Sequence, residues 1–397
     1  MDRAIGGFFP LELRADAALP FPQTLPVNLG RTGLELILRH RQYRRVRVPV
    51  YCCPVVFRTL RRCGVEWECY RIDENLEPIG GTTPDGTPMR DPYRTLAVDE
   101  AFLYINYFGV MDRCVTTLAT HFPRLIVDLT PAFFSTPPSH TDGFNSARKF
   151  FGVPDGAFLF AENAIDWGKS LPRQRTCDSC RSLLWRTEES YDTEPGYLEF
   201  LRQESAMDRW PLARMSRISE RMLRSINLPQ IARLRRQHFR WFHERLRERN
   251  TLRLDSLWAN GTSSLYGVKP TMNAAGPHGT ETLGLDGNTL DGNVESLDGN
   301  TLDGNALDGN VETPVPLYYP LLPSKKGLGA VWKRELCRNR VFVPTLWPDL
   351  ESTLRLYCDE DAMESRLVRD LVCLPITQHC NDDDLARILR LLDSFAH

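Results

Sequence analysis

The chain has 397 residues, a formal net charge of −2 at pH 7 and 42% hydrophobic residues. At roughly 100–200 residues per domain, this length suggests two domains, or one large and one small, each able to bury a core. The near-neutral charge gives no bulk electrostatic basis for binding nucleic acid. No apolar run approaches the roughly 20 residues that span a bilayer, and the N-terminus lacks the apolar segment of a signal peptide. We therefore expect a cytoplasmic protein with no membrane partner.

Cysteine usage indicates reduced thiols. Eleven cysteines in a chain of this length are too dilute for a small disulfide-stabilised domain. Cys177 and Cys180 form a C-x-x-C pair, but a structural zinc site usually needs a second pair, and Cys373 and Cys380 fit no familiar spacing. We expect mostly buried free thiols, with zinc as the less favoured alternative.

Between residues 28 and 160, short apolar runs alternate with helical patterns. These patterns predict strands at 46–51, 66–72, 101–107, 124–128 and 157–161, and helices at 54–63 and 112–121. Strands that alternate with helices predict βαβ units and a mostly parallel sheet covered on both faces. In such sheets, ligands bind beyond the carboxyl ends of the strands.

The pattern becomes helical from about 197 to 250. Five residues recur at spacings of three and four within it: Ile231, Leu234, His238, Phe242 and Leu246. This spacing predicts an amphipathic helix, and the arginines between these positions are expected to face solvent rather than bind a polyanion. His238 lies on the apolar stripe, where a packed histidine is favoured over a metal ligand.

The C-terminal part predicts a smaller α+β domain over 251–397, after a large domain over 1–250. It contains a repeat region at 282–313, in which LDGN begins at 285, 290, 297, 302 and 307. Asp-Gly and Gly-Asn form turns, and one leucine in five residues buries little, so we interpret the region as a surface insertion. Structure resumes at 315–319, followed by a helix at 326–339, a strand at 340–343 and a helix at 383–395 that starts at an acidic run.

A glycine-rich segment precedes a helical pattern near the N-terminus. It spans residues 28–34 and contains Gly30, Arg31, Thr32 and Gly33. The start of a helix presents free backbone N–H groups and the positive end of the helix dipole, which together bind anions such as phosphate. Taken alone, the segment is more typical of a turn that simply begins a helix.

Asp128 ends an apolar strand pattern that starts at Leu125. A buried carboxylate is costly unless it is paired. At the carboxyl edge of the sheet, Asp128 could pair with a protonated ring nitrogen of a ligand. The alternatives are a helix cap or an ion pair with one of the many arginines.

Lys149 lies 21 residues after Asp128, between aromatic residues and a turn-rich stretch. Only six of the 49 basic residues are lysines, so a lysine in a structured motif points to amine chemistry, which arginine cannot supply. A lysine in a desolvated pocket has a lowered pKa and can form a Schiff base with an aldehyde. Considered alone, Lys149 would be interpreted as a surface lysine.

Together, and in this order on βαβ units, these three features favour one cofactor. Pyridoxal 5′-phosphate (PLP) needs a lysine for its aldehyde, an acid for its pyridine nitrogen and a binding site for its phosphate. The acid keeps the nitrogen protonated, so the ring can accept electrons from the substrate's Cα. The combination therefore predicts a PLP enzyme.

The sequence also resembles a known family. Six segments occur in the family's order: GRTGLELIL, VPVYCCPVV, INYFG, LIVDLTPAFF, SARKFFGVPDGAF and LPITQHCNDDDLARIL. They resemble the DegT/DnrJ/StrS family of PLP-dependent sugar aminotransferases, most of all a divergent branch with a KFFGVPDG-like segment. The resemblance covers most of the chain outside about 256–313. It implies an α/β fold of the aspartate aminotransferase (type I PLP) class, with a large domain built on a mostly parallel sheet and a small α+β C-terminal domain.

The resemblance assigns roles by position. Lys149 would be the Schiff-base lysine, and Asp128 would be the partner of the pyridine nitrogen. The resemblance also implies cofactor contacts from five further residues: Gly30, Arg31, Thr32, Ser146 and Tyr51. The first three would offer backbone donors to the phosphate, the serine a hydroxyl, and the tyrosine a ring that packs on the cofactor.

The resemblance also implies partners and a reaction. A homodimer would transfer an amino group, with glutamate as donor, to a keto sugar, expected to be nucleotide-linked. The product would enter a surface polysaccharide or a secondary metabolite, and no nucleic acid would take part.

Two positions depart from the family's pattern. The family usually has glutamine three residues after the aspartate, where this chain has Pro131. Its serine commonly lies five residues before the lysine, where this chain has Phe144, and Ser146 lies three before. Two alternatives therefore stay open: a dehydratase of amino or deoxy sugars, which usually lacks the lysine, and a binding or regulatory protein that keeps the fold without turnover.

Overall fold

The computed structural model describes residues 11–13, 17–188, 194–254 and 314–395. All of them belong to one compact unit. The predicted surface insertion at 282–313 lies outside the described residues. Within the described ranges, no helix combines the length and the apolar character that crossing a membrane requires.

Ten strands precede residue 161. In chain order they are β1 (Leu25–Val27), β2 (Arg45–Pro49), β3 (Glu66–Ile72), β4 (Pro78–Ile79), β5 (Gly81–Thr82), β6 (Pro88–Met89), β7 (Glu100–Ile105), β8 (Leu125–Leu129), β9 (Asp142–Asn145) and β10 (Ala157–Phe160). Eight of them form one sheet in the order β1-β10-β9-β8-β7-β2-β3-β4, and β5 pairs with β6. The five strands from β9 to β3 are parallel neighbours. All residues of β7 and β8 are buried, as expected for a parallel sheet covered on both faces.

The reversed strand β10 determines the direction of β1. Both β1 and β9 pair with β10 in antiparallel fashion, so they run in the same direction. The carboxyl ends of β1, β2, β7, β8 and β9 therefore lie along one edge of the sheet. Any ligand site of the kind expected for this fold class lies at that edge.

Eight helices accompany these strands and the segment that follows them in the described chain. They are α1 (Gly30–Arg41), α2 (Pro54–Arg62), α3 (Asp112–His121), α4 (Ala164–Trp167), α5 (Arg181–Glu188), α6 (Glu194–Met207), α7 (Arg217–Arg224) and α8 (Leu228–Leu246). The predicted helices at 54–63 and 112–121 are confirmed within one residue. Helix α2 begins at a proline, whose missing N–H would have no partner there anyway, and Gly64 follows with a φ of 67°.

Helix α1 lies directly on the sheet. A Cβ atom built at Gly33 would be 2.9 Å from the Cβ of Phe144 in β9. This separation is shorter than real carbon contacts, so only glycine permits the observed approach of the helix to the strand. The glycine-rich segment thus sets the position of α1 above the ends of the central strands.

One arginine of helix α8 is buried, contrary to the prediction from the sequence. Arg235 is 1% exposed, although the arginines of this helix were expected to face solvent. Its guanidinium donates to the carbonyl oxygen of Leu317 at 3.0 Å and to the side-chain oxygen of Gln378 at 3.2 Å, and it lies 4.7 Å over the ring of Phe150. Carbonyl, amide and ring contacts replace water around this charge. His238 is buried, with Nδ1 3.3 Å from the carbonyl oxygen of Ile376, as a packed histidine would be.

The C-terminal part is built on a two-stranded antiparallel ribbon. It comprises β11 (Tyr318–Leu321), α9 (Leu328–Arg338), α10 (Glu351–Tyr357), α11 (Met363–Asp370), β12 (Val372–Pro375) and α12 (Asp382–Ser394). The predicted strand at 340–343 is wrong: Arg340 has a φ of 61°, and the partner of β11 is β12 instead. Helix α12 does start at the acidic run, with a capping box between Asn381 and Asp384. The division at residue 250 stays a prediction.

A buried carboxylate ties this C-terminal part to the far edge of the sheet. Glu364 of α11 is fully buried, and its side chain accepts a hydrogen bond from the backbone N–H of Ile72, at the end of β3, at 2.8 Å. Arg71 donates to the same carboxylate at 3.4 Å. Since a buried charge needs such partners, these contacts hold α11 against β3.

Candidate active site at the carboxyl edge of the sheet

Asp128 lies in β8, one residue before the strand ends, and is 3% exposed. Its Oδ1 accepts a hydrogen bond from the backbone N–H of Thr130 at 2.8 Å. Burial raises the pKa of this carboxyl to about 6, although the hydrogen bonds from Thr130 and the charge of Lys149 oppose the shift. Asp128 forms no salt bridge with any residue in the described ranges. The site therefore holds a buried acid that lacks a cation in direct contact.

Lys149 ends the short 3₁₀ turn Ala147–Lys149, which follows β9. Strands β8 and β9 are parallel neighbours, with Asp128 opposite Phe144. The charge of Lys149 lowers the pKa of both Asp128 and the Cys53 thiol, so the structure brings these groups into one site. The lysine side chain is nevertheless exposed in the single chain, unlike the desolvated pocket that the sequence predicts. The turn is anchored in the core by Ala147, which begins it, and by Phe150 and Phe151, which follow it, whereas Lys149 faces outward.

The start of α1 presents two free backbone donors. The N–H groups of Gly30 and Arg31 have no hydrogen-bond partner in the part of the chain that the structure describes. Thr32 is different, since its N–H donates to the carbonyl oxygen of Leu29 at 3.0 Å and its hydroxyl donates to Oδ1 of Asn28 at 2.6 Å. The expectation that Thr32 offers a donor to a ligand is therefore wrong, because the helix begins earlier than predicted and uses it internally.

These donors lie beside the ends of β8 and β9. A Cβ atom at Gly30 would be 3.1 Å from the carbonyl oxygen of Asn145 and 3.2 Å from Cγ2 of Thr130. Ser146, the next residue after β9, is buried at 8% exposure, and its hydroxyl makes no hydrogen bond within the described ranges. Backbone N–H groups and a free hydroxyl thus adjoin the same strand ends as Asp128, a donor set that suits a phosphate.

Tyr51 does not belong to this site. Its side chain is completely buried, with its ring centroid 5.9 Å from that of Tyr107 and 4.6 Å from that of Trp347. A ring without exposed surface cannot stack on a ligand, so the predicted role of Tyr51 is wrong.

The segment after β2 contributes Cys53 instead, which the sequence reasoning missed. Cys53 precedes the first residue of α2 and is partly exposed. Burial raises the pKa of its thiol, whereas the charges of Lys149 and Arg31 lower it. The sequence did contain a signal for Cys53. The residue lies two positions after Tyr51 in the segment that follows a predicted strand, where ligand contacts are expected.

The site has the groups that PLP requires and lacks those that a metal requires. The buried acid without a contacting cation suits a protonated ring nitrogen, Lys149 supplies the amine, and the start of α1 supplies free N–H donors. Over the described ranges, no group of three or more histidine, cysteine or acidic side chains could hold a metal ion. Cys177 is exposed and Cys180 is buried, and both thiols are free.

No family model matches the chain, and no curated protein matches its sequence. Solved structures do match in three dimensions. A DegT/DnrJ/EryC1/StrS aminotransferase from Brucella abortus superposes with a TM-score of 0.52 at 12% identity, over 94% of this chain and 85% of that chain. Sugar aminotransferase CalS13 from Micromonospora echinospora gives 0.51 at 13% identity, over 94% and 87% of the two chains. Aminotransferase TlmJ from Streptoalloteichus hindustanus gives 0.52 at 13% identity, over 94% and 86%.

At this identity, the similarity establishes the fold. The chain has the α/β fold of the DegT/DnrJ/EryC1/StrS sugar aminotransferases. The predicted fold class is confirmed, and so is the predicted resemblance at the level of the fold.

Proposed function

We propose that this protein is a PLP-dependent aminotransferase that acts on a keto sugar. One observation carries the proposal: among the described residues no cation contacts buried Asp128, and its pKa responds to the charge of Lys149 at the edge of the sheet where α1 begins. Two solved structures with this fold support the choice of cofactor. They are the PLP form and the pyridoxamine 5′-phosphate (PMP) form of Spr1654 from Streptococcus pneumoniae, a protein described as a sugar aminotransferase.

Each described group has a role in this proposal. When bound, PLP supplies an aldehyde that captures amines and a ring that withdraws electrons from the substrate carbon. The Asp128 carboxylate would hold a proton on the ring nitrogen, and its burial makes that interaction strong. Lys149 would anchor the aldehyde carbon and, once an amino donor displaces it, move a proton at the substrate's Cα. The N–H groups of Gly30 and Arg31 and the Ser146 hydroxyl would bind the phosphate.

Two observations support a choice of substrates: the activity of one protein with a similar structure, and the family resemblance. CalS13 is a sugar aminotransferase, which favours a keto sugar as the acceptor in this chain. We propose glutamate as the amino donor and a nucleotide-linked keto sugar as the acceptor, in the formation of a surface polysaccharide or a secondary metabolite.

We further propose that the chain acts as a homodimer. Large apolar side chains on α5 and α6 are at least two-fifths exposed in the single chain: Leu184, Trp185, Tyr197, Leu198, Phe200 and Leu201. Contiguous exposed apolar surface of this kind is typical of protein interfaces. Light scattering coupled to size exclusion should give twice the mass of one chain, and Leu198→Asp should reduce that mass.

The absorption spectrum of the purified protein tests the proposal. Addition of PLP should produce a visible band that dialysis does not remove, because the cofactor is bonded to Lys149. Lys149→Ala should lose this band. Lys169→Ala removes an exposed lysine that pairs with Asp166 and should keep it. Equal spectra for the two variants would contradict the assignment of Lys149.

The amino donor separates an aminotransferase from other proteins with this fold. Glutamate should bleach the visible band of the PLP-loaded protein within one turnover, and a keto acid should restore it. Mass spectrometry should then detect nitrogen in the product of a nucleotide-linked keto sugar. A product that has lost water without gaining nitrogen would contradict amino transfer.

A second candidate is a protein that binds PLP without turnover. Pro131 favours it, because a proline three residues after Asp128 has no side-chain donor and no backbone N–H. In that case the visible band would form on Lys149 and persist with every amino acid tested. Bleaching by glutamate would exclude this candidate.

A further inference from the structure

A cavity of about 440 Å³ lies beyond strand β1, and none of the residues that line it belongs to the candidate active site. Its walls are residues 173–177, 214 and 216–218. Backbone bridges join Val27 to Arg214 and Arg214 to Arg173, so these segments continue the sheet past β1. The volume falls in the range of about 300–1,000 Å³ that is common for small-molecule sites.

The cavity is strongly positive. Four arginines line it and no acidic residue does: Arg173, Arg175, Arg214 and Arg217. Arg173 pairs with Glu220, whereas the other three have no carboxylate partner among residues 11–13, 17–188, 194–254 and 314–395. The buried Nε of Arg214 also lacks a hydrogen-bond partner. Three of the four lining arginines therefore form no ion pair that would offset their charge within the described ranges.

A buried hydroxyl on the same wall is also unsatisfied. Thr176 is 1% exposed, and its Oγ1 has no hydrogen-bond partner in the part of the chain that the structure describes. A buried polar atom without a partner costs free energy, so such atoms mark places where a ligand supplies the missing contact. The backbone N–H groups of Arg217 and Ile218, at the start of α7, also lack partners in the described chain.

We propose that this cavity binds the diphosphate group of a small molecule. Arginine guanidinium groups bind phosphate oxygens through paired hydrogen bonds, and free N–H groups at a helix start add to the same field. A single phosphate carries a charge of roughly −1.5 to −2, which is less than three unpaired arginines can compensate. The net charge of −2 on the whole chain does not favour a nucleic acid as the ligand.

The cavity adjoins the first turn of α1 through two side chains. Gln174 lines the cavity, and its Oε1 accepts a hydrogen bond of 3.1 Å from the side-chain amide of Asn28. The amide oxygen of Asn28 in turn accepts from the Thr32 hydroxyl of α1 at 2.6 Å. Free pyrophosphate and a nucleoside diphosphate share the chemistry that this site would recognise. The inference does not depend on the proposed function, because none of the arginines that carry it is assigned a contact with PLP.

Isothermal titration of the full chain tests the proposal, with and without saturating PLP so that phosphate binding at α1 is controlled. With saturating PLP, inorganic pyrophosphate should bind at one site per chain, and without PLP the same site should bind it alongside any phosphate binding at α1. Arg175→Gln and Arg217→Gln alter exposed residues that leave the core intact, and each should weaken binding about tenfold or more. Thr176→Val, which removes only the hydroxyl, should also weaken it. Arg240→Gln, on the exposed face of α8, should leave it unchanged.

Titration with UDP and uridine separates the two sources of the ligand. UDP binding at least tenfold tighter than pyrophosphate would assign the site to a nucleoside diphosphate, and equal affinities would assign it to a free diphosphate. The absence of saturable pyrophosphate binding, or binding that Arg175→Gln, Arg217→Gln and Thr176→Val all leave unchanged, would overturn the proposal. Failure of the visible PLP band would refute the proposed function without affecting this result.

Discussion

The side-chain amide of Gln378 donates a hydrogen bond of 3.1 Å to the backbone carbonyl oxygen of Phe150, the residue that follows Lys149. The oxygen of the same amide accepts from Arg235, whose guanidinium lies over the Phe150 ring. A residue from the segment after β12 and a residue from α8 thus fix the turn that carries the lysine. The position of Lys149 is therefore fixed through the backbone of Phe150, since the lysine amine itself forms no hydrogen bond within the described ranges.

This relationship predicts the effect of Gln378→Ala. The free energy of unfolding should fall by about 1 kcal/mol, because one hydrogen bond is lost and the Arg235 contact is weakened. The affinity for PLP should fall as well, since the turn that presents Lys149 is less fixed. Urea denaturation and titration of the visible band measure the two effects. Gln237→Ala, an exposed glutamine on α8, is the matched control and should change neither.

Asp128→Asn should stabilise the cofactor-free protein above pH 6. Burial raises the pKa of Asp128 from its ordinary value near 3.8 to about 6, so ionisation costs more in the folded than in the unfolded chain. The wild type should therefore lose stability relative to the variant as the pH rises from about 4 to about 6, by up to about 3 kcal/mol. Well below pH 3.8 the Asp128 carboxyl is protonated in both the folded and the unfolded chain, and the pH-dependent part of the difference should vanish.

Urea denaturation of the cofactor-free proteins at pH 4, 5, 6 and 7 measures this pH dependence. Asp178→Asn, which removes an exposed carboxylate, serves as the control. Stability curves of Asp128→Asn and wild type that run parallel over this range would show that the acid is not buried as described. The variant should also bind PLP more weakly, because an amide cannot hold the ring proton.

Gly33→Ala should destabilise the fold. The added Cβ would lie 2.9 Å from the Cβ of Phe144, so α1 or β9 must shift, at a cost of about 1–3 kcal/mol. Gly152→Ala is the control, since its Cβ would meet nothing closer than Cδ2 of Leu183 at 3.7 Å. Thermal unfolding should show a lower midpoint for the first variant only, and equal midpoints would mean that α1 moves without cost.

PLP should protect Cys53 from alkylation. Cys53 is partly exposed, and although burial raises the pKa of its thiol, the charge of Lys149 opposes that shift, so the thiol lies near Lys149, where the cofactor would bind. Cys177 is exposed and lines the arginine-rich cavity instead. Iodoacetamide labelling followed by peptide mass spectrometry should show slower modification of Cys53 with PLP present and an unchanged rate at Cys177. Equal rates at Cys53 with and without PLP would place the cofactor elsewhere.

Sequence patterns located the central strands because burial on both faces leaves continuous apolar runs. The predicted strand at 66–72 matches β3, and the predicted strand at 124–128 differs from β8 by one residue at each end. Strands β1 and β9 were missed because they are three and four residues long, and β9 contains aspartate, glycine and asparagine. Their extended conformation depends on partners far along the chain, such as Leu159 for Leu25.

The sequence predicted which segments form the candidate site, but it did not predict which side chains of those segments face the ligand. Asp128 could be chosen because it ends an apolar strand pattern, and Lys149 because lysine is scarce in this chain and the family resemblance places the Schiff base there. Tyr51 was assigned to the cofactor ring by the family resemblance, which gives a position in the segment after β2 but not the direction of its side chain. The resemblance assigned Thr32 a free donor, whereas α1 already starts at Gly30 and uses the Thr32 N–H within its first turn.

The link between Gln378 and Phe150 spans 228 residues of sequence, which has a consequence for synthesis in the cell. At about 5–20 residues per second, a ribosome takes roughly 10–45 s to translate that interval. For all of that time the turn with Lys149 exists without the amide that later fixes it. A nascent chain can therefore assemble its parallel strands early, but it completes the surroundings of its reactive amine only after the C-terminal ribbon has emerged.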